Sequence, residues 1–317
     1  MNVLSLFDGM SCGQIALDQL GIKVNNYFAA EVDKYAITVA QQNFPGTIHL
    51  GDVREIQTSG THLMDECDCG HKIDLLIGGS PCQGFSFAGK NLNFDDPRSK
   101  LFFEYARLLK ELKPKYFLLE NVRMKKESMD VISEYLGVEP IAINSNLVSA
   151  QNRHRLYWTN IPMDGLPQDK GVVLKDILED GITDRDKSHC IDANYFKGGN
   201  LKSYFEKHRR QLVFSKDGMC HVGDAGLSDK YDYVNRVYHP DGKGPSLVAS
   251  SGGHLQPKIS SDTQTYRKLT PRECERLQTV PEGYTDKGIS DTQRYKMLGN
   301  GWTVDVIKHI FNGLETV

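Results

Sequence analysis

Apolar residues along this chain fall into two alternating rhythms. Residues 2–7, Tyr27-Phe28-Ala29-Ala30, Thr47-Ile48-His49-Leu50, Ile73-Asp74-Leu75-Leu76-Ile77, Tyr116-Phe117-Leu118-Leu119 and Ile141-Ala142-Ile143 are short apolar runs. Most stop abruptly at glycine or an acidic residue, so they read as buried strands. Between them the spacing turns helical. Ile15, Ala16, Leu17 and Leu20 form one face that ends at Gly21, and Tyr35, Ala36, Val39 and Ala40 form a second. Leu101, Phe102, Tyr105, Leu108 and Leu109 predict a helix over about 99–112 with Pro114 just beyond it, and residues 126–137 predict another. Strand followed by helix, repeated, is the pattern of an α/β protein. Residues 54–72 are polar and read as irregular. From Ile161-Pro162 to residue 267 the chain is rich in Gly, Asp and Lys. Helical signals return at Thr270-Pro271-Arg272-Glu273, which has the form of a capping start.

The strand ends carry the chemistry. In open α/β sheets ligands collect beyond the carboxyl ends of the strands. Here the first three strands end at Asp8-Gly9, Glu31 and Asp52. Glu31 stands near the spacing at which a second-strand carboxylate meets ribose hydroxyls. No G-x-G-x-x-G follows the first strand, which argues for a cofactor smaller and less anionic than a dinucleotide. Each acid alone could cap a helix, and Asp33 is expected to do so. The fourth strand runs into Gly78-Gly79-Ser80-Pro81-Cys82-Gln83-Gly84-Phe85-Ser86, where Pro81 stiffens the backbone that presents the Cys82 thiol. Residues 84–98 form a long mixed loop of the kind that acts as a lid. Glu120 is expected at the end of the next strand, facing the same crevice, where it could hold or share a proton. Arg153 and Arg155 alternate, so on a strand both guanidiniums would share one face and meet an anion or a carbonyl-rich base.

Composition narrows the class without choosing a function. At 39% hydrophobic and 25% charged residues the 317-residue chain is that of an ordinary globular protein. Neither a signal peptide nor a membrane span is expected, and seven scattered cysteines suit a reducing cytoplasm better than a disulfide framework. Cys67-x-Cys69-x-His71 falls short of a structural zinc set, so no metal is expected. The net charge of −3 is unevenly spread. Residues 185–258 hold 12 Lys and Arg against 8 Asp and Glu, with five of the ten histidines. A basic segment on an acidic body is the footprint of phosphate binding. Lys202, Lys207, His208, Arg209 and Arg210 are its candidate contacts.

Taken together, the motifs and their order resemble the cytosine carbon-5 DNA methyltransferases over nearly the whole chain. Phe7-Asp8-Gly9 with Gly13 is similar to that family's first motif, Ser80–Ser86 to its nucleophile motif, and Glu120-Asn121-Val122 to its acidic motif. Gln151-Asn152-Arg153-His154-Arg155 resembles the paired-arginine motif. Arg272–Gln278 and Gly299-Asn300-Gly301-Trp302-Thr303-Val304 resemble the ninth and last. Ser11 and Cys12 replace the usual glycines, and with Asn300-Gly301-Trp302 they are closer to animal de novo enzymes. Ser246-Leu247 replaces a usual Thr-Leu.

The resemblance implies a Rossmann-like sheet domain from residues 1–160 and 268–317, with a smaller target-recognition domain over 161–267. It implies S-adenosyl-L-methionine as cofactor, held by Phe7, Asp8, Gly9, Met10, Cys12, Glu31, Val32, Asp52, Val53, Leu101, Asn300 and Trp302. Cys82, Glu120, Arg153 and Arg155 would be catalytic. Gln83, Ser86, Gln151, Ser246, Gly252 and Gly253 would contact double-stranded DNA. The implied reaction is transfer of a methyl group to carbon 5 of a flipped cytosine, in a cytoplasm that could also hold a cognate restriction endonuclease. Two alternatives stay open: transfer RNA methylation, although the Cys-Phe-Thr signature associated with that branch is missing, and a silent DNA-binding regulator.

Overall fold

A computed structural model describes residues 1–65, 69–80, 100–199, 201–214, 221–224, 236–238, 258–259 and 266–315. The first half of the chain builds one seven-stranded sheet. It begins with β1 (Asn2–Leu6), α1 (Cys12–Gln19), β2 (Asn26–Ala30), α2 (Lys34–Asn43) and β3 (Ile48–Gly51). Three short strands follow, β4 (Thr58–Ser59), β5 (His62–Met64) and β6 (Gly70–Lys72). The main sheet resumes with β7 (Leu75–Gly78), α3 (Lys100–Leu112), β8 (Tyr116–Val122), α4 (Lys126–Leu136), β9 (Ile141–Asn144) and β10 (His154–Thr159). Its order is β3-β2-β1-β7-β8-β10-β9. Every pairing is parallel except those of β10, which runs antiparallel to both neighbours. The chain winds outward from β1 to β3 and then returns to the other side of β1, so the crevice between β1 and β7 is the topological switch point.

Side-chain alternation divides the core into two layers. Val3, Leu75, Ile77, Tyr116, Leu118 and Tyr157 face one cluster, with α1 and, beyond the short helices α5 (Leu174–Ile177) and α6 (Leu201–Lys207), the C-terminal helices α7 (Pro271–Leu277), α8 (Asp291–Asn300) and α9 (Val304–Phe311). Leu4, Leu6, Leu76, Phe117, Leu119, Leu156 and Trp158 face the other, covered by α3 and α4. Each fully buried side chain of this size contributes about 1.5–3 kcal/mol. Gly13 lets α1 approach the sheet, since a Cβ there would lie 2.3 Å from Ile77 Cδ1. Thr270 and Glu273 complete the expected capping box of α7, and the Asp33 side chain caps α2 by accepting from Tyr35 N.

Three sequence expectations are revised. Residues 58–64 and 70–72 hold a small antiparallel meander, β4-β5-β6, beside which the His71 ring meets Asp65 at 2.9 Å. Cys67 lies outside the described residues. Glu120 belongs to β8, which runs on to Val122. The composition change at 161 is not where packing changes: Ile161, Leu174, Ile177, Ile191 and Tyr195 all belong to the first core cluster. A separate small cluster forms around Tyr204, Leu212 and Phe214, where β11 (Leu212–Phe214) pairs with a strand at Tyr266–Lys268. Among the described residues no helix is long and apolar enough to cross a membrane.

Candidate active site

A cavity of about 570 Å³ opens at the carboxyl ends of β1, β2, β3 and β7. Its floor is the turn after β1, where Phe7, Gly9 and Ser11 all take positive φ, between 57° and 61°. Two of the three are not glycine, and such backbone persists only where its surroundings hold it. The holding groups are the strand-end acids. Asp8 accepts from the Ser11 hydroxyl and, at 2.8 Å, from Tyr27 OH on β2. Glu31 Oε2 accepts from Gly9 N at 2.8 Å, while its Oε1 accepts from Val32 N and Asp33 N.

Burial of the Asp8 carboxyl raises it from 3.8 to about 6; its hydroxyl donors oppose that shift and nearby Glu31 adds to it. Asp52 is the opposite case. Hydrogen bonds from the Arg54 side chain and backbone take it down to about 2. Cys12 is buried against the loop at 299–302, and desolvation pushes its thiol up to about 12, so it stays protonated and serves as an apolar wall.

Eleven of the twelve expected cofactor residues line this cavity, among them Leu101, Asn300 and Trp302, with Val32 at 70% exposure on the rim. Met10 does not. Its side chain is buried beneath Gly301, whose Cβ would lie 2.8 Å from Met10 Cε, and its carbonyl accepts from Tyr284 OH. Lys296 also lines the cavity, pairing with Asp33 at 2.6 Å across 263 residues. Nothing local in the sequence announces that contact.

The reversal of β10 explains how the arginine motif reaches the same place. Running antiparallel to β8, β10 begins where β8 ends, with Arg155 opposite Val122 and Tyr157 opposite Glu120. Arg155 and Glu120 are therefore diagonal neighbours on one face. Arg155 Nε meets Glu120 Oε1 at 2.9 Å, both side chains at most 15% exposed. A Cβ on Gly79 would lie 3.2 Å from Glu120 Oε2 and 3.0 Å from Trp302 Nε1. Acid, loop and cofactor wall thus converge at a residue where a Cβ would crowd both side chains. Asn121, on the opposite face of β8, donates to Ser80 Oγ at 3.2 Å and fixes the entry to the Cys82 loop. In the sequence Asn121 stands out only as part of the Glu120-Asn121-Val122 motif.

Two expected site residues are corrected. Arg153 precedes β10 and is 2% exposed. Its guanidinium is used by the protein itself, donating to Ile191 O, Gly299 O, Gly301 O and the Cys190 sulfur. It touches the cavity, but its donors are spent on backbone carbonyls and a sulfur, whereas Arg155 pairs with Glu120. Gln151 is fully buried. Its amide donates to Leu277 O and Gln278 Oε1 and accepts from Ile191 N, which leaves no edge for DNA. Among the basic candidates Lys207, His208 and Arg209 are exposed, whereas Arg210 donates to Gly198 O. The Lys202 side chain, Cys82, Gln83, Ser86, Ser246, Gly252, Gly253 and the loop at 84–98 lie outside the described residues.

Residues 1–316 match the family of C-5 cytosine-specific DNA methylases. The chain is 31% identical to the type II methyltransferase M1.ScrFI of Lactococcus lactis subsp. cremoris, covering 97% of this chain and 76% of that protein. It is 30% identical to the type II methyltransferase M.HpaII of Haemophilus parainfluenzae, covering 96% and 86%. In fold it is similar to the Entamoeba histolytica methyltransferase EhMeth, with a TM-score of 0.67 over 99% of both chains at 17% identity. With its switch-point cavity, its acid–arginine pair and a family match along almost its entire length, the chain belongs to the C-5 cytosine-specific DNA methylases.

Proposed function

We propose that Cys82, Glu120 and Arg155 carry the transfer of a methyl group from S-adenosylmethionine to carbon 5 of a cytosine extruded from a short duplex DNA motif. The observation that carries this assignment is the Glu120–Arg155 pair, set beside Gly79 and Trp302 where the cofactor cavity meets the loop leading to Cys82. The alternatives of RNA methylation and silent regulation are not favoured by the family match.

The described residues fit the cofactor. The cavity is large enough for an adenosine with an amino-acid tail. Its rim offers carboxylates at Glu31 and Asp52 for hydroxyl and amine donors, and apolar faces at Phe7, Val32 and Val53 for a purine. Leu101, Asn300 and Trp302 close it. When bound, S-adenosylmethionine supplies an electrophilic methyl group on a sulfonium.

The chain's own groups prepare the base to accept that methyl. Carbon 5 of cytosine is a weak nucleophile. Addition of the Cys82 thiolate at carbon 6 pushes the ring's electron pair toward carbon 5. Glu120 Oε1 is engaged by Arg155, so Oε2 is left to deliver a proton to the ring nitrogen as negative charge develops there and to accept from the exocyclic amine. Arg155 holds the base carbonyl, and Arg153 supports it from behind. Solvent then takes the carbon 5 proton, and that electron pair reforms the carbon 5–carbon 6 double bond while the carbon 6–sulfur bond breaks and Cys82 leaves as thiolate. None of these atoms is accessible in a stacked duplex, so the base must flip out.

Residues from about 200 to 267, with exposed Lys207, His208 and Arg209, would read the DNA. The enzyme would act in the cytoplasm of a bacterium or a phage-infected cell, with a cognate endonuclease as its functional counterpart. The test is transfer of labelled methyl to duplex DNA and to bulk RNA, with products mapped to the base. Carbon-5 methylcytosine at one duplex motif, abolished by Cys82→Ser, is the expected result. Label confined to RNA, or label that survives Cys82→Ser, would overturn the assignment.

A further inference from the structure

Arg153 and Gln151 have buried partners that the methyl-transfer steps do not use. Arg153 sits at the C-terminal end of α8, where carbonyls lack helical partners and the helix dipole is negative. Its Nη2 donates to Gly299 O at 3.1 Å and Gly301 O at 2.8 Å, the backbone on either side of Asn300. Its Nη1 donates to Ile191 O at 3.1 Å. One buried guanidinium therefore bridges the loop that closes the cofactor cavity and the segment that leads toward the recognition half of the chain.

A second bridge runs in parallel. Gln151 accepts from Ile191 N at 3.2 Å and donates to Gln278 Oε1 at 3.0 Å. Gln278 in turn donates to Leu298 O at 2.7 Å and Gly301 O at 3.1 Å. The two segments also touch directly. A Cβ on Gly299 would lie 2.2 Å from the Asp192 carbonyl carbon, so α8 meets residue 192 backbone to backbone. Beyond that contact the Asp192 carboxylate pairs with the half-exposed Arg209 at 3.5 Å.

We infer that Arg153 and Gln151 are positioning residues that tie the cofactor-closing loop, 299–302, to the 190–192 segment, so that cofactor occupancy stiffens the entry to the DNA-reading region. The inference rests on the cofactor reading above. Ordering one end of a connected, buried hydrogen-bond network lowers the cost of ordering the other. Linkage also requires that bound DNA tighten the cofactor by the same factor.

Hydrogen exchange in the full-length protein, with and without S-adenosylhomocysteine, tests the tie, because the Ile191 amide is itself one of its bonds. In the wild type the ligand is expected to slow exchange at 299–302 and, by about fivefold or more, at 190–192. Arg153→Lys keeps the charge but cannot span both segments. It should retain the slowing at 299–302, lose it at 190–192, and melt within a few degrees of wild type. If that variant does not fold, Gln151→Met is read over the same peptides with the same expectation. Slowing confined to 299–302 in the wild type would overturn the tie and leave the cofactor reading standing. Slowing at 190–192 that survives both substitutions would also overturn it. No slowing at either segment in the wild type would overturn the cofactor reading, and the tie with it.

Discussion

Asp8 allows the sharpest test of the cavity floor. Its carboxyl is raised from an ordinary 3.8 to about 6 by burial, and the hydroxyls of Ser11, Ser5 and Tyr27 only partly offset that. A difference of about two units corresponds to about 3 kcal/mol. That figure is an upper bound, because part of the residue opens onto the cavity and its water. Between pH 3.8 and about 6 the folded state holds a proton that the unfolded chain has released, so Asp8's contribution to stability falls as pH rises through that window and levels off above it. Asp8→Asn removes the titration and leaves an amide oxygen to accept from Tyr27 or Ser11. Loss of one acceptor is a roughly constant offset of about 1 kcal/mol. The pH-dependent part is what distinguishes burial. Urea unfolding of both proteins between about pH 4.5 and 7.5 cancels every other carboxylate in the difference. The stability of the variant relative to wild type should climb by about 2 kcal/mol up to about pH 6.5 and then stay flat. A difference independent of pH would refute the argument, since it would mean that the carboxyl is solvated in the folded protein.

Gly79→Ala should fold with nearly wild-type stability yet lose methyl transfer by about a hundredfold, because its Cβ would displace Trp302 Nε1 and Glu120 Oε2. A normal turnover number in that variant would show that the convergence at Gly79 is incidental. Glu120→Gln leaves Arg155 without its charge partner and should cost about 1–3 kcal/mol, less than a fully buried pair because an acceptor remains. Adding Arg155→Met should recover part of that loss, as read by thermal unfolding of the four proteins of the cycle. Alkylation at neutral pH should label the exposed Cys69 readily and spare Cys12 and Cys274, whose buried thiols are pushed up in pKa. Peptide mass spectrometry showing early labelling of Cys12 would contradict its place in the wall.

Much of this protein is written in local pattern. The apolar run Val3-Leu4-Ser5-Leu6 and the helical spacing through Leu101–Leu112 are consequences of backbone geometry that any neighbour can satisfy, so they read correctly from the chain alone. The strand-end acids are local too. Asp8, Glu31 and Asp52 follow their strands directly, and a parallel sheet brings all such ends to one edge. The family resemblance stands on the same footing, because its motifs occupy the turns and strand ends that the fold brings together.

What the pattern could not decide was set by contacts between distant parts of the chain. The spacing of Arg153 and Arg155 places both on one face, and only the packing of α8 and residue 191 makes one a structural clamp while the other pairs with Glu120. Gln151 resembles a polar motif residue until Gln278 buries it, 127 residues away. The composition of 161–267 suggests a separate module, yet Ile161, Leu174, Ile191 and Tyr195 from its first part pack into the core of the first 160 residues. A side chain's spacing along its own element is fixed by covalent geometry. Whether its polar atoms face solvent, substrate or a buried carbonyl depends on which distant backbone arrives beside it, and that is a property of the tertiary fold.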